Sequence, residues 1–236
     1  MAESVAKFSQ EQIGPKVREM DEAETMDPAI VEQLFEQGLM GVEIPEEYGG
    51  AGMNFTSAIV GIEELAGVDP SVSVMCDVPN ALGYKYAINL LNEGRIGIAA
   101  QMTGLALGAW ENAAKYIWND RRQFGQLIGE FQGMQHQVAQ AYTEIAAARA
   151  LVYNAARKKE AGQDFVQDAA MAKLYASQVA GRVAGSAVEW MGGMGFVREG
   201  IAEKMFRDSK IGAIYEGTSN IQLQTIAKML QKQYTQ

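Results

Sequence analysis

The chain has 236 residues, 48% of them apolar and 21% charged, the balance of a folded protein with a sizeable core rather than of a disordered segment. Its net charge of −9 argues against a generic binder of nucleic acid or of anionic membrane surfaces. One cysteine (Cys76) and one histidine (His136) exclude a disulfide framework and a Cys/His metal cluster, and no apolar run reaches the roughly 20 residues of a membrane span. The opening MAESVAKFSQEQIGP is amphipathic but carries acidic residues and no arginine before Arg18. It reads neither as a transit peptide nor as a secretory signal, which leaves a cytosolic protein or one whose targeting segment has been removed.

In chain order, Val5, Phe8 and Ile13 predict a first helix, and Ile30 to Leu39 a second. MGVEIP (Met40 to Pro45) is the single weak strand candidate, and EEYGGAGM (Glu46 to Met53) is a glycine-rich loop. Val68-Asp-Pro70 separates two short helices. A long helix rich in alanine begins around Ile88, passes Arg95 and Ile96, and runs to Trp118. Phe124 to Gly133 turns the chain. Met134, Val138, Tyr142, Ile145, Ala148, Leu151, Val152 and Ala155 then recur in steps of three and four, the stripe of an amphipathic helix. A second stripe follows through Met171, Leu174, Tyr175, Val179, Val183 and Ala187, and Gly192-Gly-Met-Gly195 ends it. The fold class expected is all-α, a helical bundle whose longest helices lie after Pro79.

Four segments, LNEGRIGIAAQMTGLALGA (Leu91 to Ala109), RRQFGQLIGEFQGMQHQVA (Arg121 to Ala139), EWMGGMGF (Glu189 to Phe196) and FRDSKIGAIYEGTSNIQ (Phe206 to Gln222), resemble the C-terminal helical domain of the acyl-CoA dehydrogenases. The likeness is closest to the short/branched-chain members. LFEQGLMGVEIPEEYGGAGM with IEELAGVDPSVSV resembles that family's N-terminal helical domain. Members of the family carry a β-domain between these two helical parts, and here it is missing. The organisation expected is an N-terminal helical part at 1–78, a junction at 79–83 in place of the β-domain, and a C-terminal bundle at 84–236.

The resemblance implies an FAD-dependent α,β-desaturation of a short or branched acyl-CoA. It makes Glu216, in IYEGTSN, the base that removes a proton beside the thioester carbonyl. A carboxylate serves that purpose best in dry surroundings, which raise its basicity above the solution value near 4.3. Taken alone, Glu216 reads as a solvated charge before a helix whose Ser219-Asn-Ile-Gln222 has the form of a capping box; the match of IYEGTSNIQ to the family is what makes it the base. For FAD the resemblance implies Arg121, Phe124 and Gln132 on the diphosphate and adenosine, with Arg122 as the alternative arginine. It adds Glu189, Trp190, Met191, Gly192 and Gly193 in a glycine turn reaching the flavin from a neighbouring subunit, and Thr218, Ser219 and Asn220. An arginine suits a diphosphate because its planar donors bind two oxygens at once, although a helix ending in Gly-Gly is otherwise only a C-cap. The stretch Tyr116 to Arg121 is one residue longer than expected, a length a π-bulge would absorb.

For the acyl-CoA the resemblance implies Tyr84, Asn92, Glu93, Gly94 and Arg95. Arg95 is informative by itself, since a long cation on an apolar face needs an anionic partner or an exit to solvent. The resemblance also implies a homodimer or homotetramer, electron transfer to an electron-transferring flavoprotein, and a mitochondrial matrix address. A helical module that binds FAD or acyl-CoA without turnover, and a truncated chain with a structural role, are the alternatives.

Overall fold

The structure, a computed structural model, describes residues 1–77 and 84–235; the junction expected at 79–83 lies outside the described residues. The amino-terminal portion holds α1 (Ala2–Phe8), α2 (Val17–Ala23), α3 (Pro28–Glu36), α4 (Phe55–Ala66) and α5 (Pro70–Asp77). The predicted first helix is interrupted rather than continuous. Pro15 has no N–H to give the ladder, and the chain around it passes through a π turn at Ser9–Ile13 and a 3-10 turn at Gly14–Lys16 before α2. MGVEIP forms no strand. Gly38 takes a positive φ of 71° after α3, and Leu39–Gly41 closes into a 3-10 turn, so the predicted second helix ends earlier and the strand candidate is spent on a loop.

The rest is dominated by α6 (Tyr84–Asn119), α7 (Gln132–Glu160) and α8 (Val166–Met191), followed by α9 (Gly193–Phe196), α10 (Ala202–Ser209) and α11 (Ser219–Tyr234). The core they share is built largely of small residues. Ala99, Ala106, Ala109 and Ala113 of α6, Ala148 and Ala155 of α7, and Ala172, Ala176, Ala180 and Ala184 of α8 are all fully buried. Small side chains let helix axes approach closely, so the alanine face rather than the larger Met171–Tyr175 face of α8 points inward. Two short strands, β1 (Arg122–Gln123) and β2 (Gln126–Leu127), pair antiparallel between α6 and α7. Their turn residues Phe124 and Gly125 both take positive φ, 53° and 85°, the geometry of a tight hairpin turn that matches strand twist.

The two portions are joined along α6. A Cβ on Gly104 or Gly108 would collide with the carbonyl oxygens of Glu63 and Gly67 at the end of α4. This glycine notch therefore lets α4 lie with its backbone directly on α6. Buried ion pairs flank the seam: Arg149 of α7 with Glu63, and Lys204 of α10 with Asp69 (3.0 Å) and Asp208 (2.6 Å). In the six-residue stretch ending at Arg121 the carbonyl of Tyr116 accepts from both Asp120 N and Arg121 N, each at 2.9 Å; the second bond spans five residues, so a single π-type turn closes α6 at its end rather than within it.

Candidate active site

The loop after α10 reaches Glu216 and Gly217, both in the left-handed region at φ 51° and 88°. A glutamate there is uncommon, and such strain persists only where its surroundings impose it. Three side chains do so. Lys173 of α8, fully buried, donates from Nζ to the Gly217 carbonyl at 2.7 Å. Gln222 of α11, also fully buried, donates from Nε2 to the carbonyls of Gly217 (2.9 Å) and Glu216 (3.1 Å). One helical turn beyond Lys173, Ser177 donates to the carbonyl of Gly212 at 2.8 Å. Tyr215 donates to Gln101 of α6, whose own amide donates to Pro70 O at 2.6 Å.

The expected capping box does not form. Thr218, not Ser219, occupies the N-cap, no side chain caps it, and Gln222 is committed to the two loop carbonyls. The helix end is left to serve the loop.

So held, the Glu216 carboxyl lies against α6. A Cβ on Gly94 would be 3.0 Å from its Cδ and from Oε2, so only glycine leaves it that place. Oε2 is buried without a hydrogen-bond partner, as is Nε of Arg95 one residue along α6. Arg95 is steadied by Asn92, whose Oδ1 accepts from Nη1 at 2.8 Å. Burial raises the carboxyl of Glu216 above its ordinary range, with Arg95 and Lys173 pulling partly the other way. Burial likewise lowers Arg95, and it lowers Lys173 to about 8, helped by the nearby Arg95 charge. A half-buried carboxyl beside two cations, neither of them spent on it in a direct pair, has the perturbed environment of a candidate functional group.

Gly94 thus lies against the Glu216 carboxyl and Arg95 is close enough to act on its charge, while Asn92 reaches the site through Arg95; Thr218 and Asn220 are exposed and Ser219 half-buried at the start of α11. Glu93 does not; it turns to Lys159 of α7 at 3.5 Å. Tyr84 opens α6, and its side chain lies outside the described residues.

The remaining expected flavin residues form a second group. Arg121, rather than Arg122, faces the glycine turn: its guanidinium donates to the Trp190 carbonyl, and a Cβ on Gly192 would be 2.7 Å from its Nη2. Gly192 takes φ 63° and ψ −135°, a conformation open essentially to glycine alone. Trp190 and Met191 are buried, with Trp190 Nε1 donating to Gln137 at 3.1 Å, while Glu189 and Gly193 are exposed. Phe124, at the hairpin tip, is 95% exposed, and Gln132 is exposed at the first turn of α7. An exposed aromatic, a cation and a bare glycine turn suit a ligand that is at once aromatic and anionic, so the residues present fit FAD. Among the described residues no group of three or more His, Cys, Asp or Glu is placed to hold a metal, and no helix is long and apolar enough to cross a membrane.

The two groups are far apart within one chain. From Arg95 to Asn119 there are about 24 residues of α6, about 36 Å at 1.5 Å per residue. From Lys173 to Trp190 α8 gives an independent length of about 26 Å.

Sequence reasoning misses Lys173 and gives Gln222 a capping role instead of its bonds to the loop carbonyls. Lys173 sits in a helix whose stripe is read from apolar residues, and the signal available is a lysine in an alanine-rich run, Met171-Ala-Lys-Leu-Tyr-Ala-Ser177.

Comparison with known proteins identifies the family. The family model described as acyl-CoA dehydrogenase, C-terminal domain, matches residues 82–231, and that of the N-terminal domain matches 1–93. The chain belongs to the acyl-CoA dehydrogenase family, FAD-dependent oxidoreductases that act on CH–CH groups. It is 34% identical to the short/branched chain specific acyl-CoA dehydrogenase, mitochondrial, of Rattus norvegicus, over 370 positions covering 99% of this chain and 85% of the rat protein. Because 370 aligned positions exceed the 236 residues available, 134 or more positions of the rat protein have no counterpart here. The chain is also 40% identical, over 150 residues covering 64% of it and 39% of the relative, to the caffeyl-CoA reductase-Etf complex subunit CarC of Acetobacterium woodii. Among solved structures, butyryl-CoA dehydrogenase from Megasphaera elsdenii matches in fold with a TM-score of 0.91 at 24% identity, covering 97% of this chain and 96% of that one.

Proposed function

We propose that the protein desaturates a short or branched acyl-CoA between its α and β carbons, with Glu216 as the base. The observation that carries this reading is the Glu216 carboxyl itself, held in a left-handed turn with Oε2 buried and unpartnered. An oxygen so placed has a vacant hydrogen-bonding position for an acidic C–H beside a thioester carbonyl. Gly94 clears the approach, and Arg95 stands beside it to offset the carboxylate's charge. Asn92 keeps the Arg95 guanidinium in place. FAD, when bound, supplies the acceptor for the hydride released by the β-carbon. Arg121 and Phe124, with the Gly192–Gly193 turn and Gln132, would hold its diphosphate and adenosine, and Thr218 to Asn220 would meet it near the base.

The two lengths of about 36 Å and about 26 Å expected from helix rise along α6 and α8 favour a site shared between chains. The glycine turn of one subunit would serve the cofactor beside the Glu216 of another, in a homodimer or homotetramer. The partner for electrons is an electron-transferring flavoprotein, in keeping with the Etf complex named for the Acetobacterium relative. The mitochondrial names of the rat and bovine relatives favour a mitochondrial matrix address.

The test is a visible spectrum of the FAD-loaded protein, without oxygen, before and after 2-methylbutyryl-CoA. Bleaching of the flavin band is expected. Tight acyl-CoA binding with no bleaching, unchanged in Glu216→Gln, would instead select a binding module.

A further inference from the structure

The charged groups that face Glu216 are Arg95 from α6 and Lys173 from α8, while α11 contributes only the uncharged Gln222. Lys173 is the odd member of this set. It is among the largest fully buried side chains, it comes from an otherwise alanine-rich face, and burying an ammonium is costly unless the charge is used. Its hydrogen bond runs to a backbone carbonyl, Gly217 O at 2.7 Å, and not to a carboxylate.

Anchoring the loop does not explain that charge. Gln222, a neutral donor, already reaches the same Gly217 oxygen at 2.9 Å. Ser177, also neutral, ties the loop to α8 one turn away. A cation adds to these what they lack, an electrostatic field at the neighbouring carboxylate. Burial alone favours the protonated form of Glu216, which cannot act as a base. An ammonium fixed one residue away, and prevented from closing a direct pair, offsets that effect without occupying Oε2.

We propose that Lys173 is a positioning residue for the base: through the Gly217 carbonyl it fixes the left-handed Glu216–Gly217 turn, and its charge keeps the Glu216 carboxylate ionised with one oxygen free. The role rests on Glu216 being the base, as proposed above. The burial-lowered value of about 8 for Lys173 leaves the ammonium charged at neutral pH and sets an upper limit to the window in which both groups are ready.

The test combines two readouts on the full chain. The first is a carbon-13 NMR titration of the Glu216 carboxyl in protein labelled at the glutamate side-chain carbon, assigned by Glu216→Gln. It needs neither cofactor nor substrate. The second is the pH profile of flavin bleaching by 2-methylbutyryl-CoA. In Lys173→Met and Lys173→Gln the Glu216 midpoint is expected above that of the parent, whereas Lys173→Arg stays near it. Bleaching by the two neutral variants falls about tenfold at neutral pH and recovers as pH rises. A Glu216 midpoint and pH profile identical to the parent's in folded Lys173→Met or Lys173→Gln would overturn the proposal. So would loss of fold in both neutral variants beside a stable Lys173→Arg, because Lys173 would then serve folding alone. If the parent itself never bleaches, the reading of Glu216 as base fails, while the titration still decides what Lys173 does to the carboxyl.

Discussion

At Glu216 the strain and the chemistry coincide. Its positive φ, its orphaned Oε2 and its contact with Gly94 are each unfavourable to a resting protein and each useful to a base. Burial lifts the Glu216 carboxyl above its ordinary value, so the folded chain holds that proton longer than the unfolded chain does. Stability from this group is full below the unfolded value and is lost as pH rises through the folded one. Glu216→Gln, which mimics the protonated form, is therefore expected to match the parent in urea melts near pH 4 and to exceed it near pH 7. Flavin bleaching should fall by about a thousandfold or more in the same variant. Equal stability of the two proteins at pH 7 would show that the carboxyl carries no such penalty. Lys173 works in a higher window: its folded value of about 8 lies below the ordinary 10.5, the unfolded chain binds more protons between them, and stability rises with pH there. Of this chemistry, IYEGTSN was legible in the sequence because its order matched a known pattern. Arg95 was legible because a charge interrupts an apolar stripe. Lys173 was not, since its partner is a carbonyl 44 residues away, and Gln222 reads as a capping residue although it bonds the loop carbonyls.

The helices were legible from period alone, and their faces less so. Steps of three and four placed α6, α7 and α8, and the α8 stripe is buried at Val179, Val183 and Ala187, but at its start Met171, Leu174 and Tyr175 are only half-buried while Ala169, Ala172, Lys173 and Ala176 turn inward. Close packing selects small residues over greasy ones when axes approach. The hairpin of β1 and β2 was hidden for a related reason: two paired residues per strand give no alternation, and Phe124 is a poor advertisement for a positive φ. The strand expected at MGVEIP failed because its alternation was too short to outweigh the flanking glycines. The glycine notch makes the element-scale prediction. Gly104→Ala or Gly108→Ala forces α4 off α6 and should lower stability by about 2 kcal/mol, within the range for overpacking. Gly133→Ala, which would meet nothing within 4 Å, is the control. Chemical denaturation of the three variants checks it.

At the scale of the whole molecule, the length of α6 bears on what one chain can do. The proposed base lies against the first third of the helix, at Gly94, and the helix then runs about 36 Å further before the chain reaches the proposed cofactor clamp. Glu216→Gln and Arg121→Ala, each inactive alone, are expected to recover activity when coexpressed. In a randomly assorted dimer half the molecules carry one of each chain, so about a quarter of all sites are intact. No recovery at all would place both halves of a site in the same chain. The long helix past Arg95 to Trp118 was legible in the sequence, and the neighbouring-subunit turn was implied by the resemblance; the separation follows because an unbroken helix turns the short spacing of Arg95 and Arg121 into a long distance. The same rod has a consequence for anyone assaying the protein. Were the proposed site shared between chains in this way, specific activity would drop on dilution well before the fold does, and a weak preparation would signal dissociation rather than damage.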